Sequence, residues 1–347
     1  MTAPKPAFAA EARRQRAAAA ASAAWWTATG TLVRAVSQRA GPAPAPSPRV
    51  GSAPPPRGHL QKLLADAFAR DAADVAAGLY PAPAAGRVAP LRAVLRAADT
   101  ILDARAVGAR RSANASHLAP EADSPAFPRY YRQNFHHQSG GWFTAASARR
   151  YEAQVEALFS GAAGPMRRRA LSLLAKAWKG RDHRGAAIVD VACGSGSFLA
   201  DLKGAFPRAG VIGLDLSRPY LDEARRRAGV AGVQAAAERL PFADASLDAV
   251  TCVYLFHELP PKVRPAVAAE LARVLKPGGL LAFADSVQAE DAPEVARLLE
   301  AFPALFHEPY YESYQGEDLV GLFEGTGLRL RDRDQAFLTK ALLFERQ

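Results

Sequence analysis

The residues best suited to chemistry are Asp190, Gly194 and Gly196, in the run Ala187-Ile-Val-Asp-Val-Ala-Cys-Gly-Ser-Gly-Ser197. β-Branched residues lead into an acid, then a glycine turn, then a helix start. The glycines let backbone approach a ligand where a Cβ would collide, and an acid at the carboxyl end of a strand faces the crevice where open α/β sheets bind ligands. A second acid ends Gly210-Val-Ile-Gly-Leu-Asp215, 25 residues beyond the first. That is close to the interval at which a carboxylate grips ribose hydroxyls. The pair suits a nucleoside-bearing ligand. Ser217 is predicted to cap the next helix.

Such residues need a sheet to hold them. Gln234–Phe242 reads as a short third edge, Ser246–Tyr254 as a fourth strand, and Leu271–Gly279 as a helix end turning into a fifth. Alternation of this kind specifies a parallel sheet with helices on both faces. A dinucleotide-binding fingerprint fails, because its third glycine position is Leu199. Upstream, Leu60, Leu63, Leu64, Ala67 and Phe68, then Leu91, Val94, Leu95, Ala98 and Leu102, recur at helical spacing and predict an amphipathic appendage. A second helical block spans Ala145 to Trp178, with Arg167–Arg169 read as a solvated basic patch.

The ordered set DVACGSGSF, GLDLS, AERLPF, SLDAVTC, FHELPP and RVLKPGG, within residues 185–287, resembles the class I S-adenosylmethionine-dependent methyltransferases. The likeness is to the small-molecule group that includes the quinone-biosynthesis C-methyltransferases. It implies an α/β, Rossmann-like seven-stranded sheet of order 3-2-1-4-5-7-6, here with an N-terminal helical extension. By the same resemblance Asp190 and the turn Ala192–Gly196, with Gly194, face the methionine part of S-adenosylmethionine. Asp215 takes the ribose hydroxyls, Leu216 packs on adenine, and Ala237 and Glu238 meet its polar edge. Ala192 stands where the pattern usually has Gly, a change tolerated if its φ is negative. Ala236 stands where many relatives place an Asp, which leaves adenine to backbone groups or to Glu238.

The acceptor must be read from other segments. Tyr130–Phe143 is placed as a lid, and Tyr254–Pro260, Asp285–Gln288 and Phe302–Tyr314 add aromatic walls that resemble a cyanobacterial and plastid subgroup. Rings of this kind suit a small planar or prenylated acceptor. His257 is the first candidate base, with Asp285 and His307 as alternatives, each also readable as a structural residue. No metal is expected, since Thr251–Leu259 lacks the Asp or Asn ligands of metal-dependent catechol enzymes. Cys193 and Cys252 read as reduced core residues. A catalytically silent binding or assembly protein on the same fold is the alternative, and an RNA methyltransferase would need a basic stripe beside the cofactor.

Charge argues against nucleic acid as a partner. Residues 1–65 hold nine Lys or Arg and one acid, so they carry eight of the net +10, and the remainder is nearly neutral. An Arg-, Ala- and Ser-rich start resembles an organelle transit peptide, with the plastid preferred over the mitochondrion by family likeness. Ala17–Val33 is too weakly apolar for a membrane span, and peripheral contact with a membrane remains compatible. Gly41–Pro48 reads as a polyproline-prone linker. The expected organisation is therefore 1–58 leader-like and disordered, 59–126 a helical appendage, 127–180 lid and N-terminal helices, and 181–347 the cofactor-binding domain. The acceptor's identity, the atom methylated and the oligomeric state are not legible.

Overall fold

The computed structural model describes residues 6–41, 50–83, 90–113, 122 and 124–347. Most of the linker expected at 41–48, and the side chain of Leu91, lie outside the described residues. Three helices precede the lid: α1 (Pro6–Ala40), α2 (His59–Ala76) and α3 (Pro90–Ser112). Then come α4 (Ala145–Leu158), α5 (Ala163–Ala177), β1 (Ala187–Val191), α6 (Ser197–Ala205), β2 (Gly210–Asp215), α7 (Arg218–Ala228) and β3 (Ala231–Gln234). The chain continues through β4 (Leu247–Val253), α8 (Arg264–Arg273), β5 (Leu275–Ser286), α9 (Ala296–Phe306), α10 (Tyr311–Gln315), α11 (Leu319–Glu324), β6 (Leu328–Ala336) and β7 (Thr339–Arg346).

The seven strands lie in the order β3-β2-β1-β4-β5-β7-β6, as the family resemblance implies. β1 to β5 are parallel, and β7 is antiparallel to both β5 and β6. Alternation along β1 divides the core. Ile188 packs with Leu171, Leu174, Leu199 and Leu202 on one face, and Val189 with Leu271 and Phe323 on the other. The third strand ends at Gln234, so the expected edge at 234–242 is instead a loop that follows it. Cys193 and Cys252 are free and buried.

Two expectations are corrected. Residues 6–40 are helical, and the part with described side chains is docked: Thr29 and Ser37 are buried, and a Cβ on Gly30 would stand 2.4 Å from the Ala157 carbonyl oxygen. Alanine is the strongest helix former, so a composition that reads as a leader also reads as a helix. The second correction concerns Arg167–Arg169. All three are buried in α5, where Arg167 pairs with Glu152, Arg168 with Asp71 and Asp201, and Arg169 with Asp74 and Asp334. Buried arginines demand partners, and acids 95–165 positions away in sequence supply most of them.

Candidate functional site

The cofactor side of the site grows out of β1 and β2. β1 delivers Asp190 buried at its carboxyl end, where its Oδ1 accepts a hydrogen bond of 2.6 Å from the Thr251 hydroxyl on β4. Burial pushes the Asp190 carboxyl up to about 7, against the lowering effect of that bond. The chain then turns through Ala192 at φ 58°, Gly194 at φ 54° and Gly196 at φ 80°. Ala192 is thus in the left-handed region, contrary to the negative φ under which its tolerance was expected. A side chain there costs about 1–2 kcal/mol. Gly196 is obligatory, because a Cβ would meet Ala224 Cα at 2.5 Å.

Asp215 ends β2 and accepts backbone N–H groups from Gly194 at 2.8 Å and Ser217 at 2.7 Å. Each carboxylate oxygen keeps a lone pair for another donor. Burial lifts this carboxyl to about 6, and the two N–H groups restrain the rise. Ser217 caps α7 as expected, accepting from Tyr220 N.

These residues open onto a cleft whose walls include Asp190, Ala192, Gly194, Asp215, Leu216 and Ala237. Glu238 is not among its lining residues. Both its oxygens accept from the Tyr130 hydroxyl at 2.9 Å, so it anchors the lid. From that lid Tyr131, Phe135 and Trp142 enter the cleft wall. Four acids, Glu152, Asp190, Asp215 and Glu258, against one base, Arg167, line the cleft and leave an excess of acid for a ligand carrying a sulfonium and an ammonium. That charge balance fits S-adenosylmethionine.

The three candidate bases separate. His257 and Asp285 come together, with Nδ1 at 2.5 Å from Asp285 Oδ1, yet His257 does not line the cleft. Burial opposes charging of His257, but Asp285 overcomes it and raises the imidazole to about 9. The other ring nitrogen looks toward Glu258 Oε1 at 3.9 Å, and Glu258 is the residue that reaches the cleft. His307 lies apart, its ring 5.5 Å from that of His137, and burial lowers its basicity.

Sequence reasoning missed two participants. Glu308 is 1% exposed and faces His136, whose Nε2 lies 2.7 Å from Glu308 Oε1 and 3.6 Å from Glu258 Oε1. Burial resists a charge on His136, and the two carboxylates overcome it, lifting the ring to about 10. The only local signal was the density of histidines and glutamates in Phe135–Gln138 and Phe306–Glu308.

A second, mostly apolar cavity lies between α1, α3 and α4. Val33, Val107, Val155, Leu158 and Phe306 line it, and it shares Tyr151 with the cofactor cleft. His136 stands in its wall.

Residues 188–279 match the methyltransferase domain family. A ubiquinone/menaquinone biosynthesis C-methyltransferase of Desulfotalea psychrophila is 32% identical over 160 residues, covering 40% of this chain and 64% of that protein. A demethylmenaquinone methyltransferase of Thermus thermophilus is 39% identical over 140 residues, 39% of this chain and 60% of its own. A fatty-acid O-methyltransferase of Mycolicibacterium smegmatis is 38% identical over 125 residues, 35% of this chain and 45% of its own. The chain therefore spans 45% to 64% of the length of these relatives. Sheet order, cleft chemistry and sequence likeness agree: the chain carries a class I S-adenosylmethionine-dependent methyltransferase domain, with S-adenosylmethionine as its cofactor.

Proposed function

We propose that the protein transfers a methyl group to a small acceptor with a planar head and an apolar tail, of the quinone or isoprenoid kind. The observation that carries this reading is the adjacency of two cavities, one bearing the cluster of acids, the other mostly apolar, with Tyr151 as their common wall. The cofactor supplies a methyl group on a sulfonium. The chain's own work is to hold Asp215 and Asp190 toward it, to cover it with Tyr131, Phe135 and Trp142, and to present the acceptor in line. A tail between α1, α3 and α4 would bring its head toward Glu258 and His136, the polar groups at the junction. The relatives that act on menaquinone precursors and on fatty acids support an apolar acceptor.

α1 and α3 also expose Trp25, Leu32, Leu95 and Leu102, which suits peripheral contact with the lipid in which such an acceptor dissolves. No helix among the described residues is long and apolar enough to cross a membrane. Residence in an organelle is consistent with the basic start and forms part of the proposal.

Incubation with methyl-labelled cofactor and matched quinols, with and without a prenyl tail, tests the reading. Label should enter the tailed quinol preferentially, and Leu158→Arg should remove the preference while cofactor binding persists. Equal labelling of both quinols would refute the tail cavity. Cofactor binding without turnover on any acceptor would instead favour a silent binding protein.

A further inference from the structure

Among the described residues, one cluster combines an imidazole with two carboxylates: His136, Glu258 and Glu308, whose ligand atoms lie within 4.8 Å of one another. We propose that these three residues bind a divalent first-row transition metal ion at the junction of the two cavities. Ligand atoms about 2.1 Å from a zinc-like ion stand about 3.4 Å apart at tetrahedral angles. The His136 Nε2 separations of 2.7 Å and 3.6 Å bracket that value.

A second observation points the same way. Glu308 is buried, and although His136 Nε2 approaches its Oε1 to 2.7 Å, neither carboxylate oxygen completes a hydrogen bond of normal geometry. A buried carboxylate without hydrogen bonds costs several kcal/mol unless a cation compensates it. One imidazolium cannot neutralise two carboxylates, whereas a divalent ion can. The donor set excludes soft thiolate chemistry, and its nitrogen favours zinc, manganese, iron or cobalt over calcium or magnesium.

The ligands come from three stiff points. His136 sits in the 3-10 turn Phe135–His137, Glu258 in the turn Phe256–Glu258 after β4, and Glu308 just after α9. Behind Glu258, Asp285 holds Nδ1 of His257, so the other ring nitrogen faces the ligand carboxylate. Such outer contacts orient ligands and are part of a metal site. Three protein ligands leave a position open. Because Glu258 lines the cofactor cleft and His136 the tail cavity, that position faces the acceptor head. Resting on the function proposed above, the ion would take an oxygen of the acceptor, favour its deprotonated form and fix its angle to the methyl donor.

The test does not depend on turnover. The full chain, stripped with chelator, is titrated with cobalt(II) by visible absorption and with zinc by calorimetry. One equivalent should bind per chain, and His136→Gln or Glu308→Gln should weaken it at least about 10- to 100-fold, the loss seen even when outer contacts are removed. Glu258→Gln, at a partly exposed position, should do the same and guards against a folding defect at buried Glu308. Cofactor affinity measured on the same proteins reports on the cleft separately. Absence of stoichiometric binding to the native protein, or binding unchanged in all three variants, would overturn the metal site and leave the methyltransferase reading standing.

Discussion

The two halves of the site are built on different principles. The cofactor half is local: Asp190, the glycine turn and Asp215 follow one another within 26 residues, each at the end of a strand or in the turn after it. The proposed acceptor half is assembled from distance, with α1, α3, residues 129–143, the turn after β4 and the segment after α9 meeting at Tyr151, His136 and Glu308. Backbone geometry specifies the first, so little sequence can vary there without losing it. Side-chain packing specifies the second, so one scaffold can take many acceptors.

The largest expected effect strikes the local half. Asp215→Ala should weaken S-adenosylmethionine binding by about 2–3 kcal/mol, or about 30- to 150-fold, with the fold retained. Isothermal calorimetry decides it, and unchanged affinity would remove Asp215 from the contact.

Acid should act in the same place. The proposed contact with the ribose hydroxyls needs the carboxylate form, and burial raises the Asp215 carboxyl to about 6 in the free protein. Affinity should therefore hold above pH 7 and fall about tenfold between pH 7 and pH 5 as the carboxyl takes up a proton. A flat profile over that range would mean that Asp215 stays ionised.

Removal of α1 probes the distant half. A chain beginning at Leu60 should keep its cofactor affinity but lose about 1 kcal/mol of discrimination for a tailed acceptor, some five- to tenfold, as one apolar wall disappears. Parallel loss of cofactor binding would show that the halves are not separable. The smallest effect belongs to the turn. Ala192→Gly relieves the left-handed strain at the cost of a looser unfolded chain, and should stabilise the protein by about 0.5–1 kcal/mol in thermal unfolding.

Legibility follows the same division. The strand-end positions of Asp190 and Asp215 and the cap at Ser217 were readable because their signals are short-range: an acid at a strand end, a glycine, a hydroxyl before a helix; the strand order came with the family resemblance. The φ of Ala192 was not, since composition carries no dihedral. Nor was the burial of Arg167–Arg169, because partners such as Asp74 and Asp334 lie 95 and 165 positions away. For residues 17–40, leader-like composition and helix propensity share the same alanines, and only docking against Ala157 separates them. His136, Glu258 and Glu308 were missed as a group for want of any common motif. Each comes from a different segment, and only the tertiary packing of the three brings them within reach.

The three arginines of α5 carry a consequence for how the molecule comes apart. Arg168 and Arg169 grip Asp71 and Asp74 of α2 on one side, and Asp201 and Asp334 of the sheet domain on the other, with Tyr80 hydrogen-bonded to both α2 acids. Detaching α2 would break the pairs of Arg168 with Asp71 and of Arg169 with Asp74 together and leave each guanidinium with one carboxylate, Asp201 or Asp334, so the contacts are lost as a set rather than one by one. Loss of α2 ahead of the rest is thus disfavoured, and heat should melt α2 and the sheet in one cooperative step.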